Sequence, residues 1–133
     1  MTNKIFIQFL FILFSVNQLY AQWTIQESGV SYDLHDVCFV DSLYGWAVGD
    51  SSTILTTDNG GESWVSQNSP INDLFFTKVQ FLNRDIGYLL SKNGTLLKTT
   101  DGGANWDSLN IDYEYVFSGM SFINPDTGWI SGT

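Results

Sequence analysis

The sequence predicts an all-β chain made of four-stranded antiparallel blades, the repeating unit of a β-propeller, in an incomplete set. Three observations carry this. Phe39 to Trp64 (FVDSLYGWAVGDSSTILTTDNGGESW) returns 42 residues later as Phe81 to Trp106 (FLNRDIGYLLSKNGTLLKTTDGGANW), and the two align without a gap. Each copy holds short β-branched and aromatic runs separated by Gly, Asn and Asp turn signals. No segment sustains a helical period. A fixed period near 40 residues with four strands per unit is the signature of stacked propeller blades.

The chain opens with a leader. Lys4 gives a short positive region, Ile5 to Val16 is apolar except for Gln8 and Ser15, and Ala21 precedes Gln22 as a cleavage point. Residues 1–21 therefore read as a secretory signal peptide. The apolar run is shorter than the roughly 20 residues a membrane span needs. A secreted or periplasmic location is expected, with no membrane insertion after cleavage. Trp23 and Gln26 follow, and the same Trp-x-x-Gln recurs as Trp64 and Gln67. Residues 22–34 are thus expected to supply the outer strand of an incomplete blade and a link.

The first full blade is expected over 35–73. His35 to Val40 alternates, with Val37 and Phe39 on one face. Gly45 to Gly49 is a compact apolar strand, Thr53 to Thr57 a β-branched one, and Trp64 to Gln67 the fourth. Asp58-Asn-Gly-Gly61 is the strongest turn signal, because Asn and Gly take positive φ at little cost. Pro70 helps to stop the fourth strand. The second blade, 74–115, repeats the plan with strands at Phe76 to Leu82, Ile86 to Ser91, Thr95 to Thr100 and Asn105 to Leu109. A third copy begins within 116–133, with strands at Phe117 to Ile123 and Gly128 to Ser131, and is cut off at Thr133. A blade buries both its faces only between neighbours, so Phe39, Trp46, Trp64 and their counterparts are expected to fill the space between blades. Because propellers close with at least four blades, further blades or another chain are expected to cover the open edges.

The turn and the tryptophan after it match a known pattern. Thr99, Asp101, Gly103 and Trp106 fit Ser/Thr-x-Asp-x-Gly-x-x-Trp, the BNR repeat or Asp-box. Thr57, Asn59, Gly61 and Trp64 fit it with Asn at the acidic position. The expected role is structural: the Asp or Asn oxygen accepts N–H groups inside the hairpin, Gly permits the bend, and Trp closes over the turn. Together with V-x-F before the Gly-Trp or Gly-Tyr strand and the T-(I/L)-L-x-T run, the pattern resembles the repeat of photosystem II assembly and stability factors over the whole mature chain. That resemblance implies a propeller and a protein-binding, chaperone-like role.

Charge and residue types narrow the function. The formal net charge is −9, which repels phosphate backbones and argues against nucleic acid as a partner. Cys38 is the single cysteine, so no intramolecular disulfide forms and a small packed thiol is expected. No motif calls for a cofactor or metal. The cluster of Asp58, Asn59 and Glu62 falls short of the six to eight oxygens of a calcium loop. Asp-box propellers include sialidases and endoglucanases, and a fragment of such a secreted glycoside hydrolase is the alternative reading. A sialidase needs several arginines as carboxylate clamps, and the chain has only Arg84. An endoglucanase needs two carboxylates across a cleft, and no pair here has that spacing. His35 reads as a strand-edge residue and Asp33 with Asp36 as a solvated turn. The favoured reading is a non-catalytic secreted module that binds a protein or a glycan. Tyr113 and Tyr115, in the link to the third copy, are the candidate recognition side chains, since loop aromatics stack on sugars and peptides.

Overall fold

The computed structural model describes residues 25–110 and 116–133. Residues 1–21, read from the sequence as a leader, and Trp23 lie outside the described residues, as do Tyr113 and Tyr115. Ten strands form: β1 Leu34–Phe39, β2 Gly45–Gly49, β3 Ile54–Thr57, β4 Val65–Gln67, β5 Phe76–Phe81, β6 Gly87–Ser91, β7 Thr95–Thr99, β8 Asp107–Asn110, β9 Phe117–Asn124 and β10 Thr127–Gly132. They make two four-stranded sheets in sequential order, β1-β2-β3-β4 and β5-β6-β7-β8, and a two-stranded pair, β9 with β10. Every pairing is antiparallel. These are the expected propeller blades, with strand ends within two residues of the sequence reading.

The second strand of each full blade is its driest element. GWAVG in β2 and GYLLS in β6 are buried at every position. A strand covered on both faces loses the usual alternation and reads as an apolar run. The fourth strands sit on the outer edge, and Val65 and Leu109 there are exposed.

Aromatic stacking joins the blades. Trp46 of β2 lies flat on Phe81 of β5, with ring centroids 3.5 Å apart and planes 6° from parallel. Trp106 meets the same ring edge-on at 5.9 Å. Tyr88 of β6 stacks on Phe122 of β9 at 3.7 Å. The expected inter-blade filling is therefore present at Trp46, Phe81 and Trp106. Phe39 and Trp64 contact each other edge-on at 6.0 Å, but only partly buried, because no described residue covers that face of the first blade. Phe39 is 43% exposed where its counterpart Phe81 is 6% exposed.

Glycine makes the stack possible. Phe39, Phe81 and Phe122 each press a ring onto the glycine six residues on. A Cβ on Gly45, Gly87 or Gly128 would stand 2.7, 2.5 or 2.4 Å from that ring. The phenyl lies across the neighbouring strand at the only residue type short enough to admit it.

Candidate functional site

Two kinds of place hold polar groups in repeated geometry: the box turns between third and fourth strands, and the seams between blades. In the box turns the threonine is the hub. Thr57 Oγ1 accepts the N–H of Asn59 at 3.3 Å and of Gly61 at 2.9 Å, and donates to Asn59 Oδ1 at 2.8 Å. Thr99 does the same with Asp101 and Gly103, at 3.2, 2.9 and 2.8 Å. The residue at the acidic position reaches forward instead. Asn59 Oδ1 accepts Ser63 N–H at 3.1 Å, and Asp101 Oδ1 accepts Asn105 N–H at 2.9 Å. The second atom of each side chain sets its chemistry. Asn59 Nδ2 donates to Ser63 Oγ, whereas Asp101 Oδ2 accepts from Asn105 Nδ2, both at 2.8 Å. Those bonds, led by the Asn105 side chain, hold the Asp101 carboxyl below its ordinary range. Gly61 and Gly103 take φ of 88° and 92°, which any L side chain would strain.

The side-chain oxygens of Thr57, Asn59, Thr99 and Asp101 are thus committed to their own hairpins. Among the described residues no cluster of His, Cys, Asp and Glu is placed to hold a metal ion.

The turn is also a socket for the preceding outer strand. Gln67 donates from Nε2 to Gly102 O at 3.0 Å, and Trp46 Nε1 donates to the same carbonyl at 3.1 Å. The side chain of Gln67 lies so close to Gly103 that a Cβ there would stand 2.3 Å from Oε1. Gln26 takes the equivalent place on Gly61, at 2.4 Å. This is what the recurring Trp-x-x-Gln encodes, although residues 25–28 do not join a strand. The sequence alone exposed the recurrence and not its contact.

Along the seam, side chains of one first strand reach the backbone of the next. Asp36 Oδ2 accepts Val79 N–H at 3.0 Å and lies 3.8 Å from Lys78 Nζ. The expectation that Asp36 sits in a solvated turn is corrected: it belongs to β1 and faces the second blade. Cys38 Sγ accepts Phe81 N–H at 3.4 Å, so the packed thiol also carries a hydrogen bond. Its counterpart Gln80 does this twice, accepting Phe122 N–H at 2.7 Å and donating to Phe122 O at 2.8 Å. Arg84 bonds Asp41 Oδ2 through Nε at 2.9 Å and Nη2 at 2.7 Å, and covers the ring of Tyr44 at 3.8 Å. Asp41 Oδ1 accepts the N–H groups of Leu43 and Tyr44 at 2.8 Å each. These backbone donors first, and Arg84 after them, lower the Asp41 pKa to about 2.

At the opposite end of the blades lie the β2–β3 and β6–β7 turns and the link 68–75. Ser51 and Ser52 have φ of 56° and 58°, a type I′ hairpin turn. Ser52 Oγ accepts Leu74 N–H and donates to Ile71 O, so this turn holds the link in place. His35 Nε2 meets Asp50 Oδ1 at 2.6 Å. Lys92 N–H donates to Phe75 O at 2.8 Å, so the two exposed residues face each other across the backbone.

The family model described as photosynthesis system II assembly factor YCF48 matches residues 15–78 and again 69–133. The chain belongs to this family. Among solved structures, "YCF48 bound to D1 peptide" aligns with a TM-score of 0.72 and 24% identity, over 80% of this chain and 36% of that one. YCF48 from Cyanidioschyzon merolae aligns with a TM-score of 0.63 and 26% identity, over 73% of this chain and 30% of that one. The chain therefore spans about a third of the length of these neighbours. No curated protein matches. The protein that names the family is described as an assembly factor.

Proposed function

We propose that this chain is a secreted, non-catalytic repeat module whose blades form a rigid support for recognising a segment of another protein. The observation that carries this reading is family membership across residues 15–133. A solved neighbour of the same fold holding a peptide supports it. Rigid repeats with variable connections are a common way to build such recognition surfaces. The end of the blades formed by 50–53, 68–75 and 91–94 is the surface we assign to the ligand. Phe75 offers an apolar face and Lys92 a charge opposite to the chain's own, which together suit a peptide with an apolar side chain beside a carboxylate. Tyr113 and Tyr115 belong to the next link and extend the same proposal. A role in assembling a photosynthetic membrane complex belongs to the relatives; for this chain the claim is peptide recognition.

The test is binding of the purified full chain to an immobilised peptide library and to a glycan array, beside hydrolysis assays on chromogenic glycosides. Peptide retention that is weakened tenfold or more by Phe75→Ser with Lys92→Glu is the expected result. Turnover of any glycoside, or retention on glycans alone, overturns the proposal.

A further inference from the structure

Asn-Gly occurs twice in the chain, at Asn59-Gly60 and at Asn93-Gly94. It is the dipeptide in which asparagine loses its amide most readily. Glycine has no side chain to obstruct attack by its own backbone nitrogen, and it lets the chain take the conformation that attack requires. The two copies sit in opposite surroundings.

Asn59 is clamped at every reacting atom. Its Oδ1 accepts Thr57 Oγ1–H at 2.8 Å and Ser63 N–H at 3.1 Å, and its Nδ2 donates to Ser63 Oγ at 2.8 Å. Gly60 N–H, the potential nucleophile, donates to Leu43 O at 2.9 Å. Freeing it means pulling the box turn away from the β1–β2 turn. Asn93 stands exposed at the tip of the β6–β7 hairpin. Its Oδ1 accepts from Ser91 Oγ–H, from Thr95 Oγ1–H at 3.2 Å and from Thr95 N–H at 3.4 Å, the last two at the long end of the range. Its Nδ2, the leaving group, has no partner among the described residues. Gly94 N–H bonds Ser91 O at 3.2 Å, inside the same hairpin. Fraying of the tip, among the least costly local openings of a fold, is enough to release it.

We propose that Asn93 is a self-modification site of the folded chain, and that Asn59 is protected. Gly94 N attacks Asn93 Cγ. The N–Cγ bond forms, the Cγ–Nδ2 bond breaks, and Nδ2 leaves as ammonia carrying the proton that Gly94 N gives up. Water then opens the cyclic imide. Opening on one side gives aspartate; opening on the other gives isoaspartate, with the main chain rerouted through the side-chain carbons. One water is consumed and one ammonia released, with no enzyme or cofactor. The aspartate product fits the turn, because a carboxylate accepts from the same three donors. Isoaspartate adds an atom to the backbone of a tight hairpin and shifts its register. Either product, once ionised, puts a negative charge next to Lys92. On the reading that this end of the blades holds the ligand, on which this consequence rests, the new carboxylate offsets Lys92 and repels a peptide carboxylate.

Peptide mapping by mass spectrometry tests this on the purified full chain, aged at mildly alkaline pH. In the folded chain, conversion to aspartate and isoaspartate is expected at Asn93, with Asn59 intact. In urea sufficient to unfold the chain, the two are expected to react at similar rates. Asn93→Gln is expected to stop the conversion, since the longer side chain must close a larger ring. An intact Asn93, equal conversion of both residues in the folded chain, or the same preference for Asn93 in urea overturns the proposal. Asn93→Asp installs the product and reads its consequence. Its retention on the immobilised peptides is expected to fall several-fold at low salt, and less at high salt, where the charge is screened. Unchanged retention beside a confirmed conversion at Asn93 would refute the ligand assignment and leave the modification standing.

Discussion

Replacing Phe81 with alanine separates the blade seam from everything local to the strand. Phe81 is stacked on Trp46 at 3.5 Å, edge-on to Trp106 at 5.9 Å, and 6% exposed. Truncating a buried Phe costs about 3–5 kcal/mol, from lost transfer energy plus the cavity left behind. Phe39 occupies the same strand position and presses on the same kind of glycine, yet it is 43% exposed and touches one ring edge. With about half its surface in water already, and full burial of a Phe worth about 1.5–3 kcal/mol, Phe39→Ala is expected to cost about 1–2 kcal/mol. The two variants share propensity, register and turn chemistry, so the difference of about 2 kcal/mol belongs to the seam. Urea unfolding followed by far-UV circular dichroism measures it. The midpoint should fall and the slope should hold, since the surface exposed on unfolding barely changes. Adding Trp46→Ala to each variant gives a coupling energy. It should be about 0.5–1.5 kcal/mol with Phe81 and near zero with Phe39. Equal costs for Phe39→Ala and Phe81→Ala would refute the argument, because they would show that the ring serves its own strand rather than the neighbouring blade.

Gly87→Ala should cost at least 2 kcal/mol more than Gly45→Ala, a figure of the order seen for overpacking. Phe81 is held between Gly87 and Trp46, whereas Phe39 can swing into solvent; thermal unfolding of the two variants checks this. Acid should weaken the β1–β2 turn. The Asp41 pKa is lowered in the folded chain to about 2 from about 3.9 in an unfolded one. Its stabilisation is therefore whole above about pH 4 and is lost as the pH falls toward 2. Asp41→Asn should keep the turn, as Asn83 does by accepting Asp85 N–H and Ile86 N–H, and flatten the acid limb of a stability-against-pH curve. Asp101→Asn should weaken the second box turn modestly, because it exchanges charge-assisted hydrogen bonds with Asn105 for neutral ones of the kind Asn59 makes with Ser63; calorimetry on the variant reads the loss.

The period, the strand count and the order of strands were legible because they are local. Each depends on alternation and turn residues within a dozen positions, and the structure follows them closely. Trp64 and Trp106 were read as strand residues, yet the strands begin at Val65 and Asp107. Both tryptophans stand at the end of the box turn, one residue outside the strand ladder. The threonine hub is hidden in the sequence for a related reason. A motif written as letters ranks the acidic residue first, whereas a hydroxyl that both donates and accepts closes the loop. Asp36 was misplaced because its partner, Val79 N, lies 43 residues away, beyond any window of local pattern. The sequence does carry a signal for the seam: Phe39 to Gly45, Phe81 to Gly87 and Phe122 to Gly128 keep the same spacing in all three copies, which marks a ring lying on a glycine.

What repeats along the chain is geometry rather than residue identity. The seam acceptor is a thiol at Cys38 and a carboxamide at Gln80, the stacked ring is indole at Trp46 and phenol at Tyr88, and the box turn closes with Asn59 or Asp101. Each substitution keeps one acceptor, one flat ring or one forward-reaching oxygen in the same place. A scaffold that asks so little of each position leaves its connections free to differ. The link 68–75 carries Pro70, a positive-φ Asp73 and an exposed Phe75, while 110–116 carries the two tyrosines. Turns held by their own hydrogen bonds can keep such links in place without constraining what they display. On the proposed reading, recognition belongs to the links, and stability to the glycine-backed aromatic seams beneath them.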